Sequence, residues 1–182
     1  MQRKRLWTGT GLFLALCLGQ ADGLADWRAG KMLWHENFDD LKDGATEDKG
    51  DTAWSMKGND PNGRVSVQNK ELMMEWTLDE VVWTSGEIDI SKADSAKVTV
   101  DVRGEGSIDD DPGTEDHYRV FAKIDGGDEV LLGKLEGYLD QEENTISKGG
   151  LKGKKIVLVI RAMNSGDDEV WVTESVKVTA EE

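Results

Sequence analysis

The sequence predicts an all-β chain folded as an antiparallel two-sheet β-sandwich. Three observations predict it. Apolar and polar residues alternate in short runs, as in Ala96, Val98, Val100 and Val102 against Lys97, Thr99, Asp101 and Arg103; period two over roughly four to eight residues marks a half-buried strand. No long stretch carries an apolar stripe at the helical period. The breaks fall at glycine, with 21 glycines against two prolines, so the turns rely on glycine.

The chain opens on three cations, Arg3, Lys4 and Arg5, followed by an apolar run from Leu12 to Leu18 and small residues at Gly19 and Ala21. This is the layout of a secretory signal peptide over residues 1–21, cleaved after Ala21 or, as second choice, after Ala25. The run is shorter than the ~20 apolar residues of a spanning helix; an uncleaved N-terminal anchor is the alternative. Cys17, the sole cysteine, lies in this run behind Leu16, where a lipoprotein signal would carry a small residue. Losing the leader leaves no cysteine for disulfides. It also leaves 19 Lys and Arg against 37 Asp and Glu, taking the formal charge from −15 to −18. Such a surface repels nucleic acid and anionic membranes and suits neutral polysaccharide, cations or plain solubility. The expected location is secreted, periplasmic or at the cell surface. The remaining roughly 160 residues make one domain: a short linker over 22–31, the sandwich over 32–179 and a tail over 180–182.

Strands are expected at 32–38, 64–68, 70–76, 80–84, 86–90, 95–103, 117–124, 128–134, 154–163 and 169–179. Asn62-Gly63 punctuates the chain before the second of these, and Gly104 to Gly106 end the run that starts at 95. In the next, Tyr118, Val120, Ala122 and Ile124 alternate with Arg119, Phe121 and Lys123, and Asp125-Gly126-Gly127 then reads as a hairpin turn. Gly149-Gly150 and Gly153 mark turns before the run in which Ile156, Leu158, Ile160 and Ala162 alternate with Val157, Val159 and Arg161. Asn164-Ser165-Gly166 turns into the last strand, where Val172, Val176 and Val178 continue the pattern. Val98, Val100, Val120, Leu158 and Ile160 are expected in the core. The acidic segment Asp109 to Asp116 is expected to be a loop.

The order of motifs is also familiar: "WHENFDDL", "GDTAWSM", "VWTSGEIDIS", "AKVTVDVRGEGSIDD", "DHYRVFAKIDGGDEVLL", "GLKGKKIVLVIRAMNSGDDEV" and "VKVT". Across residues 32–179 this resembles a jelly-roll module of secreted bacterial proteins, similar to carbohydrate-binding modules and to laminin-G-like or MAM-like sandwiches. The resemblance implies a non-catalytic module whose partner is a polysaccharide or surface glycan, working beside separate polysaccharide-degrading enzymes. A structural or adhesive sandwich with no sugar site is the alternative. The resemblance further implies a structural Ca²⁺ where the first and last strands meet, with Glu36, Asp39 and Glu174 as the matching ligands; Glu174 stands where such modules usually carry Asp. Hard oxygen ligands suit that ion. The loop Asp109 to Asp116 is a second candidate cation site.

Six tryptophans follow the leader. Trp34, Trp54 and Trp83 are expected in the core, and Trp76, Tyr138 and Trp171 are the candidate sugar-binding aromatics. Gly86-Glu87-Ile88-Asp89-Ile90 is similar to the catalytic strand of laminarinase-type glycoside hydrolases, but Ser91 and Lys92 occupy the positions of the acid/base carboxyl. The competing reading is a strand with Ile88 and Ile90 inward and both acids solvated. His35 and His117 are isolated and read as strand-end surface residues; no histidine–cysteine cluster suits zinc, and no nucleophilic triad is evident.

Overall fold

Alternation decides which face of each strand is buried, and the buried faces decide how the sheets stack. A computed structural model describes residues 30–58, 64–106, 108, 116–136 and 143–181. The expected signal peptide and most of the linker lie outside the described residues. Within them there is no helix, and the strands are β1 (Met32–Glu36), β2 (Glu47–Asp48), β3 (Trp54–Lys57), β4 (Val65–Gln68), β5 (Glu71–Glu75), β6 (Val81–Ser85), β7 (Ile88–Asp89), β8 (Ser95–Glu105), β9 (His117–Ile124), β10 (Glu129–Glu136), β11 (Glu143–Leu151), β12 (Lys155–Met163) and β13 (Val170–Glu181). They form two antiparallel sheets. One runs β11-β8-β13-β5-β4, with β1 also paired to β13; the other runs β10-β9-β12-β6-β3-β2, with β7 also paired to β12.

The core lies between the sheets. Val98, Val100, Val120, Leu158 and Ile160 are all buried there, as the alternation predicts. Trp34, Trp54 and Trp83 are buried too: the Trp83 ring lies 6.2 Å from Trp34 and 6.1 Å from Trp54, and Phe38 meets Trp54 edge-on at 5.9 Å. Such aromatic pairs add about 1 kcal/mol to the burial of their area. The Asp125-Gly126 turn has positive φ at both residues, 51° and 77°, and Gly127 N–H donates to Ile124 C=O at 2.9 Å. This is a type I′ turn, whose twist matches the hairpin it joins.

The strand pattern differs from expectation in three places. β2, β3 and β11 form where no strand was expected. Gly149 and Gly150, read as a turn, lie inside β11 at a register shift between Lys148 and Leu151. β13 runs through Ala180 and Glu181, so the described part of the expected tail is strand: Ala180 N–H donates to Lys31 C=O at 2.8 Å, and the Glu181 carboxylate accepts from Ser95 and Gly150.

Both flanks of the sandwich are closed. On one, Val67 of β4 donates to Ala45 C=O at 2.8 Å and Met56 of β3 donates to Thr46 C=O at 3.1 Å, so residues 45–46 stitch one sheet to the other. On the opposite flank β10 meets β11, and a Cβ at Gly133 would fall 2.6 Å from Ile146 Cγ2, so only glycine allows that approach.

Candidate functional site

The outward side chains of the β10–β2 sheet make the site. Lys57 of β3 stands beside Val82 of β6, Val82 beside Arg161 of β12, and Arg161 beside Arg119 of β9. The next row holds Ser55, Thr84, Val159 and Phe121, and beyond it Val157 stands beside Lys123. Period two forces this arrangement: Trp83, Leu158, Ile160, Val120 and Ala122 point into the core, so their chain neighbours point out. The outer face is hollowed into a groove of about 420 Å³, floored by Val82, Thr84, Val157 and Val159 and rimmed by Lys57, Lys123, Lys155, Arg161, Glu87 and Glu129.

The rim is wired by ion pairs. Arg161 donates to Glu80 at 2.7 Å and to Glu129 at 3.1 Å, and its guanidinium lies over the Phe121 ring, 5.9 Å from the centroid. Hydrogen bonds to Glu129 and then Glu80 raise the Arg161 pKa. Burial pushes the Glu80 carboxyl up, but hydrogen bonds from Arg161 and His117 outweigh it and hold the group below the ordinary carboxylate range. Lys155 donates to Glu87, which raises the lysine's pKa. Lys57 and Lys123 make no side-chain hydrogen bond or ion pair with any described residue. An aliphatic floor with a charged rim can hold the flat face of a ring and bond its polar substituents.

Of the sequence-predicted aromatics, Trp171 and Trp76 do not line this groove. Trp171 is fully buried, its indole N–H donates to Met163 C=O at 2.9 Å, and its ring lies 5.6 Å from Tyr118. The cause is a bulge in β13: Thr173 pairs with Val102 and Ser175 with Asp101, so Glu174 is an extra residue that shifts the parity of the strand. Trp171 and Thr173 therefore face inward together with Val176 and Val178. Trp76 is half-buried at the end of β5 under the Arg64 guanidinium, 4.9 Å from its ring centroid. Tyr138 lies outside the described residues. Among the described residues Phe121 is the aromatic on this sheet's outer face, beside the groove and not in its lining; its signal was the alternation that points it outward with Arg119 and Lys123.

Glu36, Asp39 and Glu174 are not brought together. Glu36 faces inward, 4% exposed, with one oxygen accepting from Phe38 N–H at 2.6 Å and the other from the Trp54 indole at 3.0 Å. Asp39 is exposed and accepts from Asn37 at 2.6 Å. Glu174 lies on the opposite face of its sheet from Glu36, held by Arg103 at 2.6 Å together with Glu71 and Glu105. Ca²⁺ takes about six to eight oxygens, and among the described residues no three His, Cys, Asp or Glu side chains converge. A second hollow of about 390 Å³ beside Glu36 is lined by Asp40, Asp48 and Asp51, but Asp48 already accepts from Gly50 and Thr52. In the loop Asp109 to Asp116, only Asp116 is among the described residues; it is 1% exposed and accepts from Ser165 N–H at 2.9 Å.

The strand at Glu87 matches the solvated reading. Ile88 and Ile90 are buried, and Asp89 accepts from Ser91 N–H at 2.9 Å; hydrogen bonds from the Ser91 hydroxyl and then its N–H lower the Asp89 pKa. His117 departs from expectation: it is 7% exposed and bonded to Glu80 at 3.2 Å.

No protein-family model and no curated protein matches the sequence. Solved structures do match the fold. The K3 cleaved adhesin domain of Lys-gingipain from Porphyromonas gingivalis w83 superposes with a TM-score of 0.56 at 13% identity, over 84% of this chain and 99% of that one. A CBM4 structure superposes with a TM-score of 0.50 at 10% identity, over 80% of this chain and 97% of that one. The chain is thus a two-sheet jelly-roll sandwich of the kind found in carbohydrate-binding modules and in that adhesin domain.

Proposed function

We propose that the chain is a non-catalytic, exported module that lays a polysaccharide along the groove of the β10–β2 sheet. The observation that carries this is the groove itself, a hollow of about 420 Å³ with a floor of Val82, Val157 and Val159 and a polar rim, on a fold shared with carbohydrate-binding modules. Binding without turnover is supported by the carboxylates around Glu87: it is tied to Lys155, and Ser91 and Lys92 stand where a hydrolase would carry its proton donor.

The test is native affinity electrophoresis of the full chain through gels cast with a panel of neutral and acidic polysaccharides. At least one polymer should retard it; Thr84→Met, which fills the floor of the groove, should weaken the retardation strongly and Trp76→Ala should preserve it. The reverse pattern would move the site to the β5–β6 loop, and free migration through every gel would remove the reading.

A second reading is a protein-binding adhesive sandwich. It is favoured by the likeness to the gingipain adhesin domain and by Val130 and Leu131 on the edge strand β10, which are 52% and 45% exposed. Cross-linked oligomers lost in a Val130→Lys, Leu131→Lys variant would support it.

A further inference from the structure

We infer that the groove takes an anionic glycan, a chain whose sugars carry carboxylate or sulfate groups. The inference rests on the reading of this groove as the glycan site and names the chemistry that the site selects.

The chain carries a formal charge of −15, yet the rim of this groove holds four cations, Lys57, Lys123, Lys155 and Arg161, against two carboxylates, Glu87 and Glu129. Glu87 is paired by Lys155, and Arg161 is shared between Glu129 and Glu80. Lys57 and Lys123 are left with no partner among the described residues. Two unpaired ammonium groups therefore project over an aliphatic floor, on a molecule whose overall field repels anions. A ligand that binds here against that field must gain locally what it loses at long range, and a negative charge placed at each lysine does so.

The aromatic content points the same way. Neutral sugars are held chiefly by stacking on open aromatic faces, and among the described residues the one aromatic on this sheet's outer face, Phe121, lies outside the groove lining and under Arg161. The spacing adds a length requirement. Lys57 and Lys123 stand three strands apart and four residues along, roughly 14 Å across and 13 Å along the sheet. One small anion cannot reach both, whereas an extended polymer crossing the groove diagonally can.

The test is retardation of the full chain by polygalacturonate, which carries only carboxylates, by dextran sulfate, which carries only sulfates, and by their neutral counterparts, carboxyl-reduced polygalacturonate and dextran. Retardation by one or both acidic polymers and by neither neutral one is expected, and which acidic polymer retards identifies the group. Raising salt from about 50 to about 300 mM should weaken the affinity roughly tenfold, as for two released counterions. Lys57→Gln combined with Lys123→Gln should remove the retardation with the melting temperature unchanged. Lys97→Gln combined with Lys148→Gln, the same loss of charge on the other sheet, should leave it intact. Equal retardation by neutral and acidic polymers would keep the glycan site and overturn its anionic selectivity. Retardation by no polysaccharide overturns both readings. Equal loss in the two lysine pairs, or equal retardation by single-stranded DNA, would reduce the binding to general charge attraction and overturn the inference.

Discussion

Glu169 and Asp116 form a buried acid pair, at 4% and 1% exposure, where the start of β9 meets the turn before β13. Burial raises the Glu169 pKa, and the neighbouring Asp116 adds to it, against hydrogen bonds from Gly166 and Ser165 N–H that favour the anion. The folded chain thus holds this proton more tightly than the unfolded chain does. Its stabilising contribution is complete below the usual glutamate pKa and is lost as pH rises through the raised folded-state value. Glu169→Gln keeps a donor toward Asp116 at every pH, so its melting temperature should gain on the wild type between about pH 4 and about pH 8. A difference that stays constant over that range would show that the pair shares no proton. None of this was legible in the sequence, because Asp116 read as the end of an acidic loop and Glu169 as the first residue of the last strand. Asn164 hides in the same way: it looks like a turn residue, yet it is fully buried, accepting from Thr77 N–H at 2.7 Å and donating to Met74 and Glu169 carbonyls. Local residue type could not reveal a partner so distant in the chain.

Strands were legible where one face is core and the other solvent. β8, β9 and β12 alternate cleanly and fell close to their expected limits. β11 did not, because it is an edge strand whose sequence is polar on both faces, with only Ile146 and Leu151 buried. β13 was found but its faces were exchanged over half its length, since a bulge leaves no mark in a pattern of alternating residues. The groove shares this mixed legibility. Lys123 and Arg161 follow from alternation, whereas Lys57 and Val82 join them through strand pairing that no local pattern encodes. The β9–β10 hairpin offers a test at this scale. Gly126 has φ of 77° and open space around the position of a Cβ, so Gly126→Ala is opposed by backbone conformation alone. It should cost about 1 kcal/mol in denaturant unfolding. Gly126→Asn should recover much of that, because asparagine tolerates the left-handed region. Equal losses for the two variants would mean that the turn is not set by φ.

At the scale of the molecule, both flanks are closed and most polar ends are matched, so the sandwich holds its shape without a disulfide among the described residues. The pairing of Lys31 with Ala180 has a mechanical consequence. β1 and β13 are antiparallel neighbours, and residues 30 and 181 leave the fold side by side. A load applied between these two points meets the ladder bonds one at a time, beginning with the 2.8 Å bond between Ala180 and Lys31, and peels β1 away like a zip. A load between residue 181 and Asp125, at the β9–β10 turn, instead enters through β13, which is held along its length by β8. Single-molecule pulling should therefore unfold the domain at clearly lower force through residues 30 and 181 than through residues 125 and 181, and equal forces would show that β1 is not the weak seam. A domain tethered by both ends would yield early under tension, whereas one anchored at its C-terminal end and strained through a polymer in its groove would carry that load across the width of the sheets.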